Sequence, residues 1–239
     1  MNNNSIRDCA RGLVIINNPA SPAHKVDVTA REIILQDAHG VSASFGNVAV
    51  TIDVTLNGAN GLDVGQEAPN QWYYIWLIAR PGGPVAGLLS LSPEAPTLPS
   101  GCSFKAFAGA MGNFDNGGND FSPIHQVGKT AARNAVAILN SGTAGAPTAI
   151  DCSSALPQKV VKATGDFTLN LGPAGGRGEG WLRSGLNQGV VGFAGYLNAQ
   201  GYLTTPFSLP VIEPQTLYYN RSTGSSAQSV TVSISGFEF

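Results

Sequence analysis

Trp72-Tyr73-Tyr74-Ile75-Trp76-Leu77-Ile78-Ala79, then Arg80-Pro81-Gly82-Gly83-Pro84, then Val85-Ala86-Gly87-Leu88-Leu89-Ser90-Leu91, is the stretch on which the fold turns. In an extended chain alternate side chains point to opposite faces, so Trp72, Tyr74, Trp76 and Ile78 share one face and Tyr73, Ile75, Leu77 and Ala79 the other. Both sets are apolar. A strand apolar on both faces belongs in the middle of a sheet or sandwich, with neither side left to water. The Pro-Gly-Gly-Pro segment reverses the chain, and Val85–Leu91 returns as an antiparallel hairpin partner.

The same period of two recurs outward from this hairpin. Val48, Val50, Ile52, Val54 and Leu56 alternate with Ala49, Thr51, Asp53 and Thr55, the pattern of a half-buried strand. Ser103–Met111 reads as another strand, closed by the turn-rich Asp115–Asp120. Further strands fit Lys159–Ala163, Asp166–Leu171, Val190–Leu197 and Tyr202–Leu209, with a Gly-rich loop from Gly172 to Gly180 between two of them. Val230, Val232 and Ile234 alternate near the C-terminus, but Phe237 and Phe239 fall on the opposite parity. Gly236 at that switch predicts a β-bulge that re-aims both rings inward. Lys129–Leu139 accommodates either a short helix or a strand.

Composition agrees with a β protein. The 239 residues include 30 Gly and 15 Pro, and only 12% are charged, about half the usual share. That excludes coiled coils and helical bundles, and 43% hydrophobic residues exclude disorder. Strands about ten residues apart, with turns between them and no βαβ alternation, predict a mainly β, antiparallel, jelly-roll-like sandwich, as one elaborated domain or two β halves. The expected organisation is an N-terminal arm over 1–22, a sandwich over 23–140 with the aromatic hairpin at its centre, and a second β-rich half over 147–239. The small, flexible run Ser141–Pro147 supplies the boundary.

Sites of chemistry are sparse. Val127-Gly128-Lys129-Thr130 resembles the end of a phosphate-binding loop, but the required leading glycine is Pro123, which lacks an N–H. The Gly172–Gly180 loop lacks the spacing of a dinucleotide-binding turn. No nucleophile elbow or zinc-protease motif occurs. His24, His39 and His125 are isolated, and Cys9, Cys102 and Cys152 lie far apart, as unpaired, buried or half-buried thiols. Asp115–Asp120 fails the spacing of a calcium loop. Asp151, Asp166 and Glu179 follow one another without any pattern that sets a catalytic pair. No catalytic residue, cofactor site or metal site is expected, and the chain reads as a non-enzyme. A formal charge of −2 gives no basic footprint for nucleic acid. No apolar run approaches the ~20 residues of a membrane span. The N-terminus lacks the pattern of a signal peptide, which predicts synthesis in a cytoplasm. Trp72, Tyr74 and Trp76 read as core. Trp181, Tyr218 and Tyr219, set among Gly, Asn and Ser with Tyr196 and Tyr202 nearby, are the candidates for contact with a glycan or partner.

Residues 71–121 also carry a family resemblance. The order is an aromatic strand (Tyr73–Ala79), a turn, an "LLS-S" strand (Leu88-Leu89-Ser90-Leu91-Ser92) and a "P-LP-G" turn (Pro96 to Gly101). A strand with a "GA" step (Phe104–Met111) and a polar turn (Asn113–Asn119) follow. This resembles a module of tailed-bacteriophage virion proteins. Asp151-Cys152-Ser153-Ser154-Ala155-Leu156-Pro157 and Val232–Phe237 resemble its later steps. Cys102 stands where the family places an aromatic. The resemblance implies a non-enzymatic virion part, foremost a short tail fibre or tail appendage. Such a protein would form a homo-oligomer, expected as a trimer, in contact with other virion proteins and with a role in host attachment. A capsid cement or decoration protein is the alternative, and a module recognising a host-surface glycan is another.

Overall fold

The computed structural model describes residues 10–171, 176–186, 188–197, 201–221 and 229–239. Contacts divide the chain into two units, residues 1–133 with Phe239 and residues 134–238. The elements of the first are β1 (Ala10–Arg11), β2 (Val14–Asn17), β3 (Lys25–Gln36), β4 (Ser42–Asp53), β5 (Gly61–Leu62), β6 (Gln71–Ala79), β7 (Val85–Ser90), β8 (Phe104–Asn113) and β9 (Ile124–Val127), together with the start of β10 (Thr130–Gly142). The second holds the rest of β10, then β11 (Thr148–Asp151), β12 (Lys162–Leu171), β13 (Gly176–Gly185), β14 (Gln188–Leu197), β15 (Gly201–Pro210), β16 (Thr216–Arg221) and β17 (Ser229–Glu238). The fold is mainly β and antiparallel, a β-sandwich, as its alternation predicts.

In the first unit the strand order is β9-β2-β3-β8-β6-β7-β5, with β1 and β4 also paired to β3. The aromatic strand β6 is central: it pairs antiparallel with β7 from Tyr74↔Ser90 to Ala79↔Val85, and with β8 from Gln71↔Asn113 to Ala79↔Phe104. Every residue from Trp72 to Ala79 is buried, and Tyr73, Ile75, Leu77 and Ile78 are 0% exposed. Fully burying such a side chain contributes about 1.5–3 kcal/mol, so this strand anchors the unit. On its even-numbered face Trp72 meets Phe114 edge-on at 5.3 Å and Trp76 meets Phe107 at 5.6 Å. On the odd face Tyr73 meets Phe121 at 6.1 Å. The sheet is folded so that β4 lies over β7: a Cβ at Gly87 would sit 2.3 Å from the Ile52 side chain. Side-chain absence at Gly87 is what lets the two layers touch.

Three expectations change here. Residues 10–17 are not part of an arm: β2 lies between β3 and β9, with Leu13 1% and Ile15 0% exposed. The alternating apolar Leu13 and Ile15 hold this segment in the core despite the Asn and Pro around it. Residues 1–9 lie outside the described residues. β4 stops at Asp53, whose carboxylate accepts the Thr55 N–H and hydroxyl in a turn, so Leu56 is 55% exposed instead of continuing the strand. The unit boundary falls inside β10, between Arg133 and Asn134, and not in Ser141–Pro147.

In the second unit the orders are β15-β12-β17-β10 and β11-β16-β13-β14, two antiparallel layers. They face one another: the missing Cβ of Gly180 in β13 would lie 2.9 Å from Phe167 of β12, and that of Gly142 in β10 would lie 2.6 Å from the Tyr219 ring of β16. Phe167, Leu169, Leu182, Leu217, Val230 and Val232, all 0% exposed, fill the space between. Of the ambiguous segment Lys129–Leu139, Lys129 lies in the β9/β10 turn and everything from Thr130 onward is strand, first as the hairpin partner of β9 and then as its continuation. The segments expected as two strands, Lys159–Ala163 and Asp166–Leu171, are one strand from Lys162. The expected Gly-rich loop is strand from Gly176 onward, while residues 172–175 lie outside the described residues. The C-terminal bulge is present: Thr164 pairs with Gly236 but Gly165 with Ile234, leaving Ser235 as the extra residue. Buried positions accordingly switch from Val230, Val232 and Ile234 to Phe237 (1% exposed) and Phe239 (8%).

Candidate functional site

The face of the second unit that turns away from its core is set by β13 and β16. Their register pairs Trp181 with Asn220, Leu182 with Tyr219 and Arg183 with Tyr218. Directly opposed residues in an antiparallel pair share a face. Leu182 and Tyr219 therefore point inward, against β10 and β12, and Trp181, Arg183, Tyr218 and Asn220 point outward. β11 adds Ala149, opposite Tyr218, and Asp151, opposite Thr216, to the outer face.

This arrangement separates the three aromatic candidates. Trp181 and Tyr218 come together on the outer face. Tyr219 does not join them: it is 6% exposed, its ring fills the space left by Gly142, and its hydroxyl accepts the Ala144 N–H at 3.4 Å. Tyr218 is outward but only 8% exposed, and its hydroxyl donates to Glu213 Oε2 at 2.7 Å. That bond to a carboxylate, with some burial, pushes the phenol up from its ordinary value. Trp181 and Arg183, on the neighbouring β13, are half-buried and so partly open to solvent. Arg183 Nε donates to Asn220 Oδ1 at 3.0 Å, and Asn220 is itself 8% exposed, so the guanidinium is held from below by a fixed amide. Arg183 and Asn220 were not among the candidates read from sequence. The signal for Arg183, alternation with Trp181 at i, i+2, was hidden because Gly176–Gly180 reads as loop and conceals the strand, and Asn220 joins them only through the cross-strand register of β16.

Elsewhere the chemistry-bearing groups are tied into the fold. Asp115 accepts backbone N–H groups from Gly118, Asn119 and Asp120 on its carbonyl and the Ser122 hydroxyl on its carboxylate, which closes Asp115–Asp120 as a hairpin loop. Asp151 accepts the Ser153 N–H at 2.8 Å, which holds its carboxyl below the usual range. Gly128, at φ 58°, makes the tight turn between β9 and β10, and its N–H goes to the Leu13 carbonyl. His39 and His125 are exposed. His24 Nδ1 sits 3.7 Å from Glu67 Oε2. Cys102 is half-buried and Cys152 buried, both unpaired, and Cys9 lies outside the described residues. Trp72 and Trp76 are core, with the Arg133 guanidinium and the Lys105 ammonium each 5.3 Å from a ring centre. Among the described residues no group of three or more His, Cys, Asp or Glu is placed to hold a metal ion. No described helix is long and apolar enough to cross a membrane.

No family model and no curated protein matches the chain. Among solved structures, the functional form of the mosquito-larvicidal Cry4Aa toxin from Bacillus thuringiensis aligns at 10% identity and a TM-score of 0.22. The alignment covers 96% of this chain and 52% of the toxin, so the chain spans about half the toxin's length.

Proposed function

We propose that this chain is a non-enzymatic structural component of a tailed-phage virion, a short tail fibre or tail appendage that works as a homotrimer. The observation that carries this reading is the structural use of every motif behind the resemblance. The aromatic strand, the LLS-S strand and the GA strand are β6, β7 and β8, adjacent in one sheet. In the P-LP-G turn, Gly101 takes φ 81° and Cys102 N–H bonds the Pro99 carbonyl at 3.0 Å. The GA step marks a bulge, where Gly109 is bare so that the buried Gln126 can lie against it and donate to the Ala108 carbonyl at 2.8 Å. In the Asp-Cys-Ser-Ser step, Ala155 and Leu156 N–H groups bond the Cys152 carbonyl. These residues serve turns, strand pairing and packing. Low charge suits burial between subunits, because interface cores are depleted of charged residues.

Light scattering after size exclusion tests the oligomer: a trimer is expected, and a stable monomer counts against it. Immunogold labelling of phage particles tests the location. Label at the tail supports the fibre or appendage, label over the capsid supports a cement or decoration protein instead, and unlabelled particles would sink both.

A further inference from the structure

Arg183 stands out on the outer face of the second sheet. The carboxylates around it are already engaged: Asp151 with Ser153, Glu213 with Tyr218, and Glu179 with a partner of its own. Arg183 gives its Nε to a neutral amide, and among the described residues no carboxylate lies within ion-pair distance of it. The two terminal guanidinium nitrogens therefore remain, held in plane by a buried Asn220 and aimed from a rigid strand. Trp181 is two residues away on the same face, about 7 Å along the strand. Its opposite neighbour on β14 is Gly192.

We propose that this face binds an acidic saccharide, the ring stacked on Trp181 and the sugar carboxylate on the terminal nitrogens of Arg183. A flat aromatic surface matches the apolar C–H face of a pyranose, as it does other apolar rings. A planar guanidinium matches a carboxylate by two parallel hydrogen bonds, stronger than neutral ones. The spacing of the two side chains fits a single sugar ring with a carboxylate at its edge. A formal charge of −2 gives the chain no general basic excess of the kind that binding a nucleic-acid backbone draws on. The site goes beyond the particle assignment and stands or falls separately from it.

The test is titration of the full chain, by calorimetry and by tryptophan fluorescence, with oligosaccharides of galacturonate, glucuronate and mannuronate and with sialyllactose. Each is paired with its methyl ester. At least one acid is expected to bind, with its ester at least tenfold weaker. Arg183→Gln should lose the same tenfold or more, and Trp181→Ala should lose both binding and the fluorescence change. Arg183→Lys keeps the charge without the fork and should fall between. Unchanged thermal midpoints in all three variants show that the face, and not the fold, was altered. Equal binding of acid and ester, full binding by Arg183→Gln, or no binding of any acid at millimolar concentration each overturns the proposal. Immunogold location is unaffected by any of these results, so a failure here is distinguishable from a failure of the virion reading.

Discussion

At the scale of single residues, two titratable groups record how the fold treats polarity. Cys152 is 0% exposed, and burial pushes its thiol up to about 12. Alkylation needs the thiolate, so at pH 8 Cys152 should react about a thousandfold more slowly than an ordinary thiol. Peptide mapping after iodoacetamide treatment should find Cys152 unlabelled in the folded protein and labelled in denaturant. Labelling in the native state would mean that the turn after β11 opens. Glu67 shows the opposite kind of burden. Desolvation raises its carboxyl above the usual value, Asp120 and Asp53 push the same way, and His24 and the Asn113 amide only partly offset this. A folded value above the unfolded one means that ionising Glu67 opposes folding. Its cost is absent below the ordinary carboxyl value, grows as pH rises through the raised one, and persists above it. Glu67→Gln keeps the oxygen that accepts from Asn113 Nδ2 and removes the charge. In urea unfolding, the stability difference between variant and parent should therefore move in the variant's favour from pH 4 to pH 8. A difference that stays flat or moves the other way would contradict the assigned cause.

At the scale of elements, the pairing of β12 with β17 shows what could be read from sequence and what could not. The parity switch from Ile234 to Phe237 was legible, because period-two alternation breaks only when a residue is inserted or a strand ends. Its partner was not. Gly165 reads as a gap between two short strands, whereas it is the residue that faces the bulge: a Cβ there would lie 1.9 Å from the Ser233 carbonyl oxygen and 2.9 Å from Ile234 Cα. Backbone cannot yield as a flexible side chain can. Gly165→Ala should destabilise the protein by about 3 kcal/mol, while Ser235→Ala, at the half-exposed extra residue, should change it by less than about 0.5 kcal/mol. Urea midpoints of the two variants check this, and a neutral Gly165→Ala would mean that the register is wrong. The same limit explains β13. Glycine-rich segments carry no alternation for the eye to follow, so the strand that presents Trp181 and Arg183 was invisible, and with it half of the candidate face. β10 escaped for a related reason: its alanines satisfy helical and strand periods alike, and only pairing with β9 decides between them. The aromatic hairpin was legible because eight consecutive apolar or aromatic residues, Trp72 to Ala79, can be buried on both sides only at the centre of a sheet.

For the molecule as a whole, the division of the chain does not follow the order of its residues. Glu238 belongs to the second unit and Phe239 to the first. Phe239 is 8% exposed, meets Phe107 edge-on at 5.2 Å, and donates its N–H to the Lys129 carbonyl at 3.0 Å. Phe107 in turn packs on Trp76, so the terminal ring is one step from the aromatic strand that anchors the first unit. Composition and spacing suggest a boundary at the small-residue run 141–147, because linkers are usually polar and flexible. Packing draws it elsewhere, through a continuous strand, and the final residue reinforces the unit in which the chain began. Truncating a buried phenylalanine costs about 3 kcal/mol or more, through lost transfer energy and the cavity left behind. Phe239→Ala should therefore lower the stability of the first unit, although the substitution lies 106 positions beyond that unit's last other residue, Arg133. In a Trp181→Phe background the remaining tryptophans, Trp72 and Trp76, report on the first unit alone. Their fluorescence should show an earlier urea midpoint in Phe239→Ala than in the parent. An unchanged tryptophan transition would show that the terminal ring contributes nothing to the aromatic core, and that the two units divide where the sequence, and not the packing, places the break.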